Sequence, residues 1–200
     1  GAKELILIGD VHQIPFIDRD HVSLIQYASP ERFCSVSRTL ICTRRCPIDV
    51  TYLLSEKYDG FYSVSDKAVS MKRERVSGRG IPKERGVVYL VLFQSDKEDL
   101  IRQGYAQEAK VLTVHESQGQ TFKHVRYVRF SPKALKLYES EGHAIVALSR
   151  HTDSFVYYTD VDDMVVTWMQ RVAGRSEVEL RRWNDERRVR NGESLKAGFY

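Results

Sequence analysis

The sequence predicts an α/β fold in which a mainly parallel sheet is flanked by helices. Short apolar runs of strand length alternate along the chain with segments that carry helix start and stop signals. Several of these runs are almost entirely apolar, which is typical of strands buried on both faces. Because strands that alternate with helices form βαβ units, the sheet is expected to be parallel and doubly wound.

Five apolar runs are predicted to form strands, the last four of them in this sheet. The first ends in Leu-Ile-Leu-Ile and has the pattern of a fully buried parallel strand. The fourth alternates between polar and apolar residues, which is also typical of a strand. In chain order the predicted strands cover residues 4–8, 87–93, 111–114, 124–130 and 155–158.

Capping signals predict four helices. Pro47 suits a first helical turn because it lacks only an N–H that would be unpaired there. Ser95 and Glu98 have the spacing of a capping box, and Gly104 is suited to end that helix. A Ser-Pro pair and Asp160 are expected to cap the last two helices. The predicted helices cover residues 47–57, 95–104, 131–139 and 160–172.

Periodicity and charge divide the chain into three predicted parts. Residues 1–35 are interpreted as a leading segment that includes a connector, residues 36–172 as an α/β domain, and residues 173–200 as a charged tail or linker. In the tail, charge replaces hydrophobic periodicity, so residues 177–190 are expected to form an isolated charged helix, to be disordered, or to be helical only where they dock. No apolar run approaches the ~18 residues of a membrane span, so no transmembrane segment is expected.

The net charge of +4 is a weak signal for nucleic-acid binding. Residues 171–200 hold eight Lys or Arg and five acidic residues, so the rest of the chain is almost neutral. RNA binding would then depend on individually placed groups rather than on a broad field. The most basic internal stretch, residues 67–85, is either a solvated surface loop or an RNA contact. The three cysteines, at positions 34, 42 and 46, lack zinc-site spacing, so reduced thiols and no metal site are expected.

Three polar clusters each follow an apolar run. They are GDVHQIPF at residues 9–16, VHESQGQT at 114–121 and ALSRH at 147–151. An α/β sheet delivers residues to its ligand crevice at the carboxyl ends of its strands. The three clusters are therefore predicted to meet in one composite site.

In this order the three clusters resemble motifs III, V and VI of superfamily 1 RNA helicases. The resemblance is to the helicases of alphavirus-like positive-strand RNA virus replicases, and within these to the plant-virus type. A fourth match, TRRCP at residues 43–47, stands where that family carries its motif IV arginine. The resemblance covers residues 4–170. It implies that residues 36–172 are a second RecA-like helicase domain of the P-loop NTPase superfamily. Residues 1–35, with the strand predicted at residues 4–8, would then be the end of the first RecA-like domain and a connector.

The resemblance assigns the first cluster to the nucleotide. Gly9, Asp10 and Gln13 would lie at the phosphates, and Gln13 would be the γ-phosphate sensor. An amide can donate to a phosphate oxygen and also orient the attacking water. The alternative for Gln13 is a polar residue that hydrogen-bonds its turn. Asp10 has two readings that the sequence leaves open, as a ligand to water or a metal shell, or as a cap of its own turn.

Arg45 and Arg150 are predicted to be the arginine fingers that reach the triphosphate. A guanidinium is a planar fork that matches phosphate oxygens and stays charged when water is excluded. For Arg45 a salt bridge is the alternative, as it is for Arg44. The resemblance favours Arg45, because the arginine of the family directly precedes Cys-Pro.

Motif V is expected to face both ATP and RNA. By the resemblance, Gln118 and Gly119 bind nucleotide, whereas His115 and Thr121 contact the RNA backbone. Glycine permits close approach of the main chain to a phosphate. Glu116 is expected to be a structural or coupling residue. Adjacent strand residues point to opposite faces, so His115 and Glu116 would pair only if the strand has already ended. His151 is interpreted as a packing residue.

No G-x-x-x-x-G-K-[ST] phosphate loop occurs in these 200 residues, although the family carries one before motif III. The chain is therefore expected to be the C-terminal half of an NTP-dependent RNA helicase that is inactive alone. ATP and Mg²⁺ would be its cofactors, with Mg²⁺ held mainly by the N-terminal half. The resemblance also implies 5′ triphosphatase activity on RNA, methyltransferase and RNA-dependent RNA polymerase partners, and membrane-associated replication complexes in the host cytoplasm. The alternative is a non-catalytic module that binds RNA or protein within a replicase.

Overall fold

The structure, a computed structural model, describes residues 3, 6–15, 32, 35–76 and 80–192. Strands and helices alternate along most of the described chain. In order they are β1 (Cys42–Thr43), α1 (Ile48–Leu54), β2 (Tyr62–Ser63), β3 (Met71–Glu74), β4 (Val88–Val91), α2 (Gln94–Arg102), β5 (Lys110–Thr113), β6 (Phe122–Val128), α3 (Glu141–Leu148), β7 (His151–Tyr158), α4 (Met164–Ala173) and α5 (Glu177–Arg190). Two short 3-10 helices cover Tyr105–Gln107 and Lys136–Glu139. None of the described helices has the length and apolar character needed to cross a membrane.

Five parallel strands form the main sheet in the order β3-β7-β6-β4-β5. Side chains of β4 alternate between its two faces. Val88 and Leu90 join a core that includes residues of α1, α3 and α4, whereas Tyr89 and Val91 join a core with Leu100 of α2. Helices thus cover both faces of the sheet, and this burial explains why its strands are almost continuous apolar runs in the sequence. The predicted α/β class with a mainly parallel, helix-flanked sheet is confirmed.

Strands β4, β5, β6 and β7 lie at four of the five predicted positions. The first predicted strand is wrong in its described part. Ile6, Leu7 and Ile8 form no strand and are 71%, 55% and 89% exposed. A strand needs a neighbouring strand for its main-chain hydrogen bonds, and the described residues bring none to this segment.

The helix predictions were partly wrong at their starts. Helix α1 begins directly after Pro47, and Gly104 follows α2 with a left-handed φ of 85°. However, the N-cap of α2 is Phe93 and no side chain caps it, so the capping box at Ser95 is wrong. A capping box does occur at Ser176 and Glu179, where it starts α5.

The helix predicted for residues 131–139 is also wrong, since only the short 3-10 helix forms there. Arg129 donates to the carbonyl oxygens of Ser131 (3.0 Å) and Lys133 (2.8 Å), which holds this segment as a loop. Helix α4 is capped by Asp163, whose carboxylate accepts from the Val166 N–H, and not by Asp160.

Helix α5 packs onto the domain, which agrees with a docked helix and not with the isolated or disordered segment that its charge also allowed. Leu180 and Asn184 are each only 1% exposed. The Asn184 amide donates to the Ser63 carbonyl (2.9 Å) and accepts from the Ser63 N–H (2.8 Å). Trp183 meets the Tyr52 ring edge-on at 4.9 Å. Residues 177–190 are therefore part of the fold, whereas the proposed division at residues 35 and 172 remains a prediction.

The AIVAL run before Arg150 forms helix α3 and not a strand. Its residues Ala144 to Leu148 are all buried, and a helix buried on all sides loses the periodicity that distinguishes it from a strand. Arg150 consequently lies between α3 and the start of β7, at the amino end of that strand. We expected each polar cluster to follow a strand, and this prediction is wrong for the cluster at residues 147–151, which follows helix α3.

Candidate nucleotide and RNA site

The predicted polar clusters meet at one place in the structure. Gln118 donates from Nε2 to the Ile14 carbonyl (3.1 Å), which joins the first and second clusters. Arg150 donates from Nη1 to the Gln120 carbonyl (3.2 Å), which joins the second and third. The composite site that the sequence predicted is thus assembled, although Phe16 of the first cluster lies outside the described residues.

The first cluster is anchored by packing as well as by hydrogen bonds. Ile14 is 5% exposed and belongs to the core beneath α3. Gly142, near the start of α3, lies so close that a Cβ atom there would be 3.3 Å from main-chain atoms of Gln13 and Ile14. A larger residue at position 142 would push this segment away, so glycine fixes the spacing between α3 and the first cluster.

Asp10 caps its own turn, which is one of the two readings the sequence left open. Its carboxylate accepts from the His12 N–H (3.0 Å) and from Gln13 Nε2 (2.6 Å). The Tyr58 hydroxyl lies 3.0 and 2.9 Å from the two carboxylate oxygens. Burial, and then the hydrogen bond to Asp10, raises the pKa of Tyr58, so this phenol remains a neutral donor.

Arg150 is a buried cation held by neutral acceptors. It is 1% exposed, and Nε donates to the Val146 carbonyl (3.0 Å) while Nη2 donates to the Ser149 hydroxyl (2.8 Å). No described carboxylate forms an ion pair with it. Burial, and then the nearby Arg45 charge, lowers the pKa of Arg150 to about 10, which still leaves it charged at neutral pH.

Arg45 approaches the same site from the segment before α1. The Thr43 hydroxyl accepts from the main-chain N–H of Arg45 (3.3 Å) and of Cys46 (3.1 Å), which shapes the turn that presents Arg45. Its Nη1 donates to the Thr121 hydroxyl (3.3 Å), and its Nε is buried without a hydrogen-bond partner among the described residues. Arg45 forms no salt bridge with any described residue, which was the alternative for it. The neighbouring Arg44 is exposed.

A tight turn between β5 and β6 carries the second cluster. The Ser117 N–H bonds to the Thr113 carbonyl (3.1 Å), and the Gln120 N–H bonds to the Ser117 carbonyl (3.0 Å). Gly119 adopts a φ of 79°, and no heavy atom would lie within 4 Å of a Cβ added there. Glycine is therefore needed for the backbone conformation, and the space in front of it is open to a ligand.

Two further expectations concern residues of this turn. Glu116 is structural, because Lys97 of α2 bonds to both its oxygens (2.8 and 2.9 Å) and the Thr113 N–H donates to it (2.8 Å). Thr121 is exposed but contacts Arg45, so its hydroxyl lies on the side assigned to the nucleotide. The RNA-binding roles of Thr121 and His115 remain predictions.

His151 is fully buried, and its surroundings are those of a packing residue. Its Nε2 lies 2.8 Å from the Ser70 hydroxyl, which also donates to Asp49 (2.8 Å). Its ring lies 5.4 Å from that of Phe155. Burial lowers the pKa of His151 to about 3, so the ring is neutral in the folded protein.

The described residues do not assemble a magnesium site. They contain no group of three or more His, Cys, Asp or Glu side chains that could hold a metal ion. Asp10 is the one carboxylate bonded within the first cluster, and three donors already occupy its oxygens. Mg²⁺ ordinarily requires near-octahedral oxygen ligands, so the set present here does not fit it.

Sequence reasoning missed two residues that shape this site. Tyr58 lies 48 positions from Asp10, and nothing in its spacing indicates that contact. Gly142 lacks a turn signature and is recognised only by its closeness to Gln13. The helix that contains Gly142 was not predicted, so nothing in the sequence indicated a close approach at this position.

Comparison with known proteins adds the following findings. Residues 1–159 match the family described as viral superfamily 1 RNA helicase core domain. The chain is 39% identical over 179 residues to the replicase large subunit of Odontoglossum ringspot virus (isolate Singapore 1), covering 84% of this chain and 11% of that protein. It is 40% identical over 169 residues to the replicase large subunit of Tobacco mosaic virus (strain vulgare), covering 80% and 10%.

The chain therefore spans about a tenth of the length of the curated relatives it matches. Among solved structures, PRRSV nsp10, a helicase, has a TM-score of 0.45 and 17% identity over 66% of this chain and 25% of that chain. Arterivirus nonstructural protein 10, a helicase solved in complex with DNA, has a TM-score of 0.44 and 19% identity over 66% and 28%.

Proposed function

Because this chain belongs to the viral superfamily 1 RNA helicase core domain family, we propose that it is the second RecA-like half of an NTP-dependent RNA helicase in a viral replicase. In this proposal ATP closes the two halves, hydrolysis releases them, and alternating grip on RNA drives 5′ to 3′ translocation and unwinding. RNA 5′-triphosphatase activity would use the same site. The first half would supply the phosphate loop and most ligands of Mg²⁺.

The observation that carries the proposal is the pair of arginines without carboxylate partners. Arg150 and Arg45 both lie beside the segment from Gln118 to Thr121, and no described acidic residue forms an ion pair with either. Burial disfavours the charged form of Arg150, and the nearby charge of Arg45 disfavours it further. An arrangement of this kind is stabilised by an anion that binds between them, and the oxygens of a triphosphate fit the two planar guanidinium groups.

The role of these arginines would be strongest in the transition state. Phosphoryl transfer needs in-line positioning and positive charge where negative charge develops on the γ-phosphate. Gln13 would orient the attacking water beside them, and Gly119 would let the main chain approach a phosphate. Thr121 and His115 are proposed to face RNA across the same turn.

Substitution in a longer replicase fragment, which includes the preceding phosphate loop, tests this proposal. We expect Arg150→Ala or Arg45→Ala to lower kcat for ATP by about 10³-fold or more, with RNA affinity in the absence of nucleotide nearly unchanged. Arg44→Ala is the matched control, because this neighbouring arginine is exposed. If a variant kept its ATP turnover and lost RNA affinity instead, the substituted arginine would be assigned to RNA binding.

The chain of 200 residues alone is expected to show no RNA-stimulated ATPase activity, since it has no phosphate-loop lysine or amide cradle. The competing proposal is a non-catalytic module that binds RNA or replicase proteins. Unchanged ATP turnover in both arginine variants of the longer fragment would favour that module. The proposed partners are RNA, the first helicase half, and the methyltransferase and polymerase domains, in membrane-associated complexes of the host cytoplasm.

A further inference from the structure

Tyr58 lies at the centre of a hydrogen-bond chain that ends at Gln13. Its ring is packed between that of Phe61 (5.4 Å) and that of His12, which it meets edge-on at 5.0 Å. Its main-chain N–H bonds to the Leu54 carbonyl (3.0 Å) at the end of α1. The phenol is therefore fixed on the α/β domain, while its hydroxyl reaches across to the first cluster.

The hydroxyl determines how the Asp10 carboxylate is oriented. It lies within 3.0 Å of both oxygens, so it bridges them and restricts rotation of the carboxylate plane. One of these oxygens also accepts from Gln13 Nε2 at 2.6 Å. A carboxylate is an acceptor only, so the amide must turn its NH₂ group toward Asp10 and its carbonyl oxygen away.

We propose that Tyr58 is a positioning residue for ATP hydrolysis, which acts through Asp10 to hold the Gln13 amide with its Oε1 free for the attacking water. The inference rests on the proposed function, since it assigns Tyr58 to the same site. This positioning role differs from a purely structural one, because loss of the Tyr58 hydroxyl would lower kcat and leave KM unchanged. It also couples the first cluster to α1 through one side chain.

The test uses Tyr58→Phe in the longer replicase fragment that contains the phosphate loop. Phenylalanine keeps the ring packing and removes only the hydroxyl. We expect kcat for ATP to fall roughly tenfold while KM stays unchanged, because the hydroxyl no longer orients the Asp10 carboxylate. The melting temperature should fall only slightly, by the loss of one hydrogen bond. Tyr52→Phe is the matched control, because Tyr52 lies on α1 and packs against Trp183, away from Asp10.

A second arm distinguishes action through Gln13 from any other cause. In a Gln13→Ala background, Tyr58→Phe should change kcat by less than about twofold, because its target has been removed. An additive loss in the double variant, a rise in KM alone, or unchanged kcat in the single variant would overturn the inference. Arg150→Ala in parallel tests the proposed function separately. Turnover lost in Arg150→Ala but retained in Tyr58→Phe would overturn only the role of Tyr58.

Discussion

Replacement of Asp163 by alanine tests how the carboxyl ends of β6 and β7 are joined to α4. The Asp163 carboxylate accepts from Arg129 Nη1 at 2.8 Å, and these side chains are only 1% and 2% exposed. The same carboxylate accepts from the Tyr157 hydroxyl (2.5 Å) and caps α4 through the Val166 N–H (3.0 Å). A single side chain therefore satisfies a buried cation, a buried phenol and a helix end.

The expected loss is large because the substitution leaves a charge buried. Removing one partner of a buried ion pair destabilises a protein by about 3–5 kcal/mol, since the remaining charge has no counterion. Loss of a helix N-cap costs about 1 kcal/mol, although the two effects share one carboxylate and do not simply add. Domains of this kind are stable by only about 5–15 kcal/mol, so Asp163→Ala is expected to lose a large part of that margin.

Urea unfolding followed by circular dichroism measures the effect. Asp162→Ala is the matched control, because Asp162 also pairs with an arginine, Arg73, but its side chain is 75% exposed. Exposed pairs contribute about 0–1 kcal/mol. A loss for Asp163→Ala within about 1 kcal/mol of the control would refute the view that the buried pair joins these elements.

Three further outcomes are expected. Burial lowers the pKa of His151 from 6.5 to about 3. Between these two pH values the unfolded chain binds a proton that the folded protein does not, so the free energy of unfolding falls as the pH falls. We expect a loss of about 2 kcal/mol between pH 7 and 5, and a smaller loss in His151→Asn. Asn184→Ala should cost about 1–3 kcal/mol in urea unfolding, because it leaves the buried Ser63 N–H and carbonyl without their partner, and a neutral result would contradict the docking of α5. Gly119→Ala should lower stability by about 1 kcal/mol through its φ of 79° alone, and a larger loss in thermal melts would indicate a clash that the open space excludes.

Strands buried on both faces could be predicted from the sequence, because both of their side-chain rows must be apolar. Strand β3 (Met71–Glu74) was missed for the opposite reason, since it lies at the edge of the sheet and its residues Met-Lys-Arg-Glu are mostly charged. Asp160 and Asp163 are equivalent by spacing rules. Asp163 bonds to Arg129, which lies 34 positions earlier, so local sequence could not select the cap.

Ser95 illustrates how packing overrides a local capping signal. Phe93 packs against Tyr138 at 5.6 Å and forms part of the border of the main core, so α2 begins beside it and Ser95 falls within the first turn. In the candidate site, Arg45 and Arg150 were selected because phosphate chemistry restricts the residue type and because their motifs resemble those of the family, and their role stays a prediction. Tyr58 could not be selected in this way, since many residues can donate one hydrogen bond and only the fold brings this one to Asp10.

The environment of Arg150 has a consequence for how quickly an anion could enter and leave. Its charge is offset by oriented dipoles, namely the Val146 carbonyl in the last turn of α3, the Gln120 carbonyl and the Ser149 hydroxyl. Within the described part of the chain, an arriving anion has no carboxylate to displace from Arg150 and no ion pair to break, so the protein needs little rearrangement to receive it. Departure is eased in the same way, because the guanidinium keeps these neutral acceptors when the anion leaves. A site that must load and unload at every cycle benefits from a cation stabilised in this reversible manner.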